Sequence, residues 1–251
     1  MGLNVASILR GIKHGPKRVA SIAMYSAWAA KNWKPTPPAD SYIPTVPLDE
    51  LMKGSRVDVT ITSGATTDGA LEYRQALDLL SLAAYHNPDV VLEIGTFMGS
   101  TTRDFARTLP SATIHTVDLP PDYAGEATEL VDGAGLKKDD FHLIEGRKVG
   151  RDYLDTPYAA RIHQHFGDTA KMDFGVAAGA TFFFIDGAHT YDYCRNDSEK
   201  CFELCGGKGV FLWHDCDESH PGVVQFLLEW RALGRDVVRI ASSPIAYWNG
   251  L

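Results

Sequence analysis

Asp89 to Leu109 reads DVVLEIGTFMGSTTRDFARTL. The run VVLEI is short, apolar and β-branched, so it predicts a strand that ends at Glu93 or Ile94. Gly95 and Gly99 then punctuate a turn, and a helix is expected to start near Gly99, where unpaired N–H groups face the space above the strand end. Strand, glycine turn and helix together form the opening unit of a parallel α/β sheet. The spacing is not G-x-G-x-x-G, which disfavours a dinucleotide pyrophosphate.

The same alternation continues outward. Upstream, Thr66 to Tyr85 carries apolar residues at helical spacing (Leu71, Ala76, Leu79, Leu80, Leu82, Ala83) until Asn87-Pro88 stops it. Downstream, ATIHTVDLP predicts a second strand ending in Asp118, and RIHQHFGDTA a third ending in Gly167-Asp168. TFFFIDG predicts a fourth ending in Asp186, and GVFLWHD a fifth ending in His214-Asp215. A helix follows Pro221, and DVVRIAS with IAYWNG forms a closing hairpin across Ser242-Ser243-Pro244. The fold class expected is α/β: a Rossmann-like, doubly wound, mostly parallel sheet with a C-terminal antiparallel hairpin and an N-terminal helical arm. Residues 1–47 read as a basic helical arm and a Pro-rich connector, WKPTPPADSYIPTVP, which cannot hold a regular helix. Residues 48–251 read as one domain, with 119–160 an insertion or lid.

Net charge and thiols narrow the function. The first 34 residues carry six basic side chains and no acid, so a chain of net charge −8 leaves −14 on the remainder. An acidic body of this kind argues against nucleic acid as a partner. The four cysteines, Cys194, Cys201, Cys205 and Cys216, lack paired C-x-x-C spacing and suit a reduced, cytoplasmic protein. The first three repeat at helical spacing, which fits small apolar residues facing a sheet better than a thiol ligand stripe. No apolar run reaches the roughly 18 to 20 residues that span a bilayer. VASIAMYSAWAA, Val19 to Ala30, reads as an amphipathic helix that covers the body, pairs subunits into a homo-oligomer or touches a membrane surface.

Acidic or polar residues therefore close five successive strands: Glu93, Asp118, Asp168, Asp186 and His214-Asp215. In an open α/β sheet these ends share one edge, where ligands bind at the switch in strand order. A carboxylate at the end of the second strand suits a ribose diol, because it accepts from both hydroxyls.

With these motifs in order, residues 66 to 250 resemble the class I S-adenosylmethionine-dependent methyltransferases. LEIGTFMGSTT matches their first motif, TVDLP their acidic second-strand end and GDTAKMDF the loop after their third strand. The half from Phe182 to Val223 is similar to small-molecule O-methyltransferases of the macrolide-sugar and aminocoumarin-sugar type. The resemblance implies S-adenosyl-L-methionine as cofactor and a small hydroxylated acceptor, a sugar on a natural product or a phenol. It puts Gly95 and Thr96 against the methionine part, Asp118 at the ribose and Asp168 with Thr169 at the adenine, with Gly99 among the cofactor-binding residues and Ser100 and Thr101 either capping the helix or contacting the ligand. Glu93 supports the loop or meets the cofactor directly.

The resemblance further implies a divalent cation, magnesium or manganese, at Asp186 and Asp215, with His189 as catalytic base. Here His214 replaces the first acid of the pair, an imidazole that shifts preference from magnesium toward manganese or iron. His214 either ligates or is a satisfied core histidine, with Asp217 and Glu218 as nearby oxygens. Without an ion, Asp186 orients His189. His220 faces the substrate or caps a turn, and Tyr191, Trp213 and Tyr123 line an aromatic acceptor pocket or belong to the core. Three other readings compete: an NAD-dependent oxidoreductase, a metal-dependent hydrolase built on Asp186, His189, His214 and Asp215, and a non-catalytic cofactor-binding or scaffold protein.

Overall fold

A computed structural model describes residues 42–62, 69–123 and 148–251. The expectations for the basic arm, for the helix before Gly69 and for most of the 119–160 insertion lie outside the described residues.

The centre of the molecule is the strand of the opening motif, β2 (Val90–Ile94). It pairs in parallel with β3 (Thr113–Asp118) on one side and β5 (Phe182–Ile185) on the other. Beyond β3 lies β4 (Ile162–Phe166), and beyond β5 lies β6 (Val210–Trp213), both parallel. The hairpin of β7 (Val238–Ile240) and β8 (Ala246–Asn249) inserts β8 antiparallel against β6. An eighth strand, β1 (Thr45–Val46), completes the order β1-β7-β8-β6-β5-β2-β3-β4. β1 lies in the stretch read as an extended connector, whose end joins the sheet by pairing in parallel with β7.

Both faces are covered, which is why the central strands read as unbroken apolar runs. Alternation sends Val91, Phe182, Phe184 and Leu212 to one face, under helix α2 (Tyr73–His86) and helix α3 (Ser100–Thr108). Leu92, Phe183, Phe211 and Trp213 go to the other, under α5 (Tyr191–Leu204) and α6 (Pro221–Ala232). Two single-turn helices, α1 (Leu48–Leu51) and α4 (Arg151–Leu154), complete the described set. Among the described residues α2 begins at Tyr73, where Glu72 and Gln75 form a capping box, and it ends where Asn87 turns left-handed. The cysteine stripe is structural: Cys194 and Cys201 are buried on the sheet-facing side of α5, and all four thiols are free. Trp213 is likewise core, its Nε1 donating to Ser198 Oγ.

The turn after β2 owes its glycines to packing. Gly95 has φ +101°, and a Cβ there would lie 2.1 Å from the Asp186 carbonyl oxygen. A Cβ on Gly99 would meet the Tyr153 ring at 2.6 Å. Gly95→Ala should therefore separate the ends of β2 and β5. Backbone strain and overpacking, each about 1–3 kcal/mol, predict a loss near or above 3 kcal/mol in urea denaturation, and a loss under about 1 kcal/mol would contradict the close packing.

Candidate functional site

Since β2 to β6 run parallel, their carboxyl ends open on one edge. A cavity of about 490 Å³ lies there. It straddles β2, where the strand order reverses: the chain steps outward from β2 through β3 to β4 and then crosses back to β5 on the other side of β2, the switch position where open α/β sheets bind ligands. Of the sequence-derived site residues, Gly95, Thr96, Ser100, Thr101, Asp118, Asp168, Thr169, Asp186, His189, His214 and Asp215 line it. Glu93 and Gly99 do not, for the reasons their surroundings give.

Glu93 is fully buried beneath the first loop. Thr102 Oγ1 and Thr116 Oγ1 donate to its Oε2 at 2.5 and 2.6 Å, and Oε1 has no hydrogen-bond partner. Because Thr116 spends its proton on Glu93, Thr96 Oγ1 must donate to Thr116 Oγ1 at 2.7 Å, while Gln164 Nε2 donates to Thr96. The carboxyl thus anchors a polar chain under the cavity floor. Gly99 caps α3 and turns away onto Tyr153. Burial, then the nearby Asp186 and Asp118, push Glu93 up to about 8 from the ordinary 4.5, against the hydroxyl bonds that lower it. The folded protein therefore holds a proton that the unfolded chain releases, so stability that is complete below pH 4.5 declines as pH rises toward 8. Glu93→Gln is expected to flatten that decline in denaturation measured across the window, and an unchanged slope would contradict the assignment.

On the β3 and β4 side, two carboxylates are held in fixed orientations. Asp118 accepts from the Phe97 amide at 2.7 Å and from Leu119 N at 2.6 Å, which locks the first loop onto the second strand end. Asp168 Oδ1 accepts from Ala170 N at 2.9 Å and from the Tyr193 hydroxyl at 2.8 Å. Behind Thr169, Asp197 is buried and pushed up to about 6 by that burial, against a lowering hydrogen bond from Thr169.

On the β5 and β6 side, the acids and imidazoles pair crosswise between the neighbouring strand ends. His189 Nε2 lies 2.7 Å from Asp215 Oδ2. His214 Nδ1 lies 3.1 Å from both Asp186 Oδ1 and Asp215 Oδ2, and its Nε2 3.3 Å from Gln75 Oε1. His220 Nδ1 lies 3.3 Å from Asp215 Oδ1 and 3.1 Å from Asp217 Oδ1. Asp215 is thus the hub of three imidazoles and adopts φ +58°, a left-handed conformation that the surrounding contacts must hold. Burial alone would raise its pKa, but His189 and His214 outweigh it and hold the carboxyl well below its ordinary range. Burial likewise opposes charge on His214, and the carboxylates beside it outweigh that and raise its pKa well above the ordinary value.

His214 is therefore a cavity residue and not an isolated core histidine. His220 joins the site with it. His220 was visible in the sequence only as the residue before Pro221-Gly222, and Gln75 gave no local signal because α2 reaches β6 only in three dimensions. Asp217 turns to His220, and neither it nor Glu218 lines the cavity. Tyr191, Trp213 and Tyr123 do not line it either. Two sets of donor atoms lie mutually within 4.8 Å and suit a metal ion: Asp186, His214 and Asp215, and His189, Asp215 and His220. Among the described residues no cysteine joins such a set.

Comparison with known proteins agrees with this geometry. Residues 92–216 match the methyltransferase domain family. Over 151 residues the chain is 33% identical to catechol O-methyltransferase B of Danio rerio, an alignment that takes in 59% of this chain and 49% of that protein. The chain thus spans about half the length of this curated relative. Among solved structures, cofactor-bound Rv0187 from MTB superposes with a TM-score of 0.54 at 19% identity, over 72% of this chain and 81% of that one. The O-methyltransferase NovP gives 0.50 at 14% identity, over 70% and 78%. At these identities the structural likeness is one of fold. Sheet order and structural likeness give the chain the Rossmann-like fold of these structures, and within it residues 92–216 match a methyltransferase domain. No helix among the described residues is long and apolar enough to cross a membrane.

Proposed function

We propose that this protein transfers a methyl group from S-adenosylmethionine to a hydroxyl oxygen of a small molecule, the sugar of a natural product or a phenol. One observation carries this reading: a single cavity joins the fixed carboxylates Asp118 and Asp168 to the His189–Asp215 pair. The cofactor, when bound, supplies an already activated methyl, so the protein has to align the acceptor oxygen and remove its proton.

The residues fit those tasks. Asp118 accepts two backbone N–H bonds and, as a carboxylate with about four lone-pair sites, keeps capacity for a ribose diol. Asp168 and Thr169 stand on the next strand end for the adenine. With its proton on Nε2 and directed at Asp215, His189 presents Nδ1 as the base for the acceptor hydroxyl. Asp215 fixes that tautomer and stabilises the imidazolium that forms. Asp186, His214 and Asp215 would hold a divalent ion, which supplies a lowered pKa of the acceptor hydroxyl. The imidazole ligand favours manganese over magnesium there.

The test is transfer of labelled methyl from S-adenosylmethionine to a panel of phenols and hydroxylated sugars, before and after exhaustive chelation. Transfer to at least one hydroxyl class is expected, with loss on chelation and better recovery in Mn²⁺ than in Mg²⁺. Unchanged turnover after chelation would rule out an essential cation, and transfer to nitrogen or carbon acceptors alone would overturn the O-methyltransferase reading.

A further inference from the structure

Beside its buried cysteines, α5 carries a second stripe of side chains that turns onto the loop after β4. Tyr193, Asp197 and Lys200 stand at i, i+4 and i+7, so they share one side of the helix. The Tyr193 hydroxyl donates to Asp168 Oδ1 at 2.8 Å, and Asp197 accepts from the Thr169 side chain. Lys200 Nζ donates to the carbonyl oxygens of Thr169, Ala170 and Met172 at 2.5, 3.1 and 2.9 Å. It also lies 5.4 Å from the centre of the Phe174 ring, where the loop enters the core.

An ammonium has three N–H donors, and here three main-chain acceptors converge on it. Carbonyl oxygens turned toward one point repel one another unless a cation lies between them. The loop's own turn is closed without Lys200, because the Lys171 and Met172 amides donate to the Asp168 carbonyl at 2.9 and 3.1 Å. Lys200 therefore fixes where that turn sits against α5. The consequence reaches the cavity, which Asp168, Thr169, Tyr193 and Asp197 line and Lys200 does not. Asp168 Oδ1 takes its two bonds from the Ala170 amide and the Tyr193 hydroxyl, so the carboxylate is oriented by the tied loop and by α5 itself.

We propose that Lys200 is a positioning residue for the cofactor site: it ties the 169–172 loop to α5 and thereby holds Asp168 where the adenine binds. The inference rests on the methyltransferase reading and deepens it by naming what sets its adenine end.

The experiment is calorimetry of S-adenosylhomocysteine with the parent protein, Lys200→Met, Asp168→Ala and the double variant. Lys200→Met keeps the apolar stem and removes the ammonium. It is expected to weaken the ligand by roughly 10- to 100-fold, the size of one lost hydrogen bond to a charged group. In the Asp168→Ala background the same substitution should cost less than about twofold, because the group it positions is gone. The full loss repeated in that background would make Lys200 a structural residue only, and parent-like affinity in Lys200→Met would remove the tie; either result overturns the proposal. Thermal denaturation checks that each variant folds, and Lys200→Gln, which keeps two N–H donors and loses the charge, carries the same comparison if Lys200→Met does not fold. No binding in the parent protein fails the methyltransferase reading itself, whereas binding there that Lys200→Met leaves unchanged fails this inference alone.

Discussion

His189→Ala is expected to lower turnover by about 10²- to 10⁴-fold, the contribution of a positioned general base, while leaving cofactor affinity within a factor of a few. The expectation follows from position: His189 sits across β2 from the carboxylates assigned to the cofactor, and its Nε2 is 2.7 Å from Asp215. Asp215→Asn should reproduce much of the loss, because an amide favours the wrong imidazole tautomer. Methyl transfer rates paired with calorimetry of S-adenosylhomocysteine separate the two effects. Full turnover in His189→Ala on the best acceptor would remove it from the chemistry, and a parallel collapse of cofactor binding would mean that it shapes the cavity instead.

Asp118→Ala acts on the other half of the site. It removes a carboxylate that holds the Phe97 and Leu119 amides and that is assigned to the ribose. Hydrogen bonds to a charged group contribute about 1.5–3 kcal/mol each, so loss of two ribose bonds predicts cofactor binding weaker by roughly 10²- to 10⁴-fold. Asp118→Asn keeps one acceptor and should lose less. His189 and Asp215, the proposed base and its partner, stand at strand ends on the other side of β2 from Asp118, so at saturating cofactor turnover should recover substantially in either variant. A cofactor affinity within threefold of the parent in Asp118→Ala would dismiss the ribose assignment.

Most of the architecture was legible in the sequence because its signals are local. A short β-branched run, a glycine turn and a helix repeat along the chain, and each strand ends on a polar residue, so the topology alone gathers those residues. What the sequence hid depends on distant partners. Thr45–Val46 sits between Pro44 and Pro47 and becomes a strand only because β7, almost two hundred residues on, offers a free edge. Asp186 and His189 are three residues apart and read naturally as a pair, yet the carboxylate at 2.7 Å from His189 is that of Asp215, because β5 and β6 are neighbours in the sheet. Gly95 and Gly99 read as cofactor-contacting turn residues; both also make room within the protein, for the Asp186 carbonyl and the Tyr153 ring, and of the two only Gly95 lines the cavity. Glu93, Asp118 and Asp186 all close strands, and only burial separates the first, a loop anchor, from the two that face the cavity.

The central claim is that the crevice at the β2 switch holds an adenosyl cofactor beside a proton-abstracting pair. Calorimetry with S-adenosylmethionine, S-adenosylhomocysteine and NAD in parallel, with and without Mn²⁺, tests it most directly. The geometry predicts saturable binding of both adenosyl compounds, lost in Asp118→Ala and kept in His189→Ala, with none for NAD. Binding of NAD and of neither adenosyl compound would contradict it.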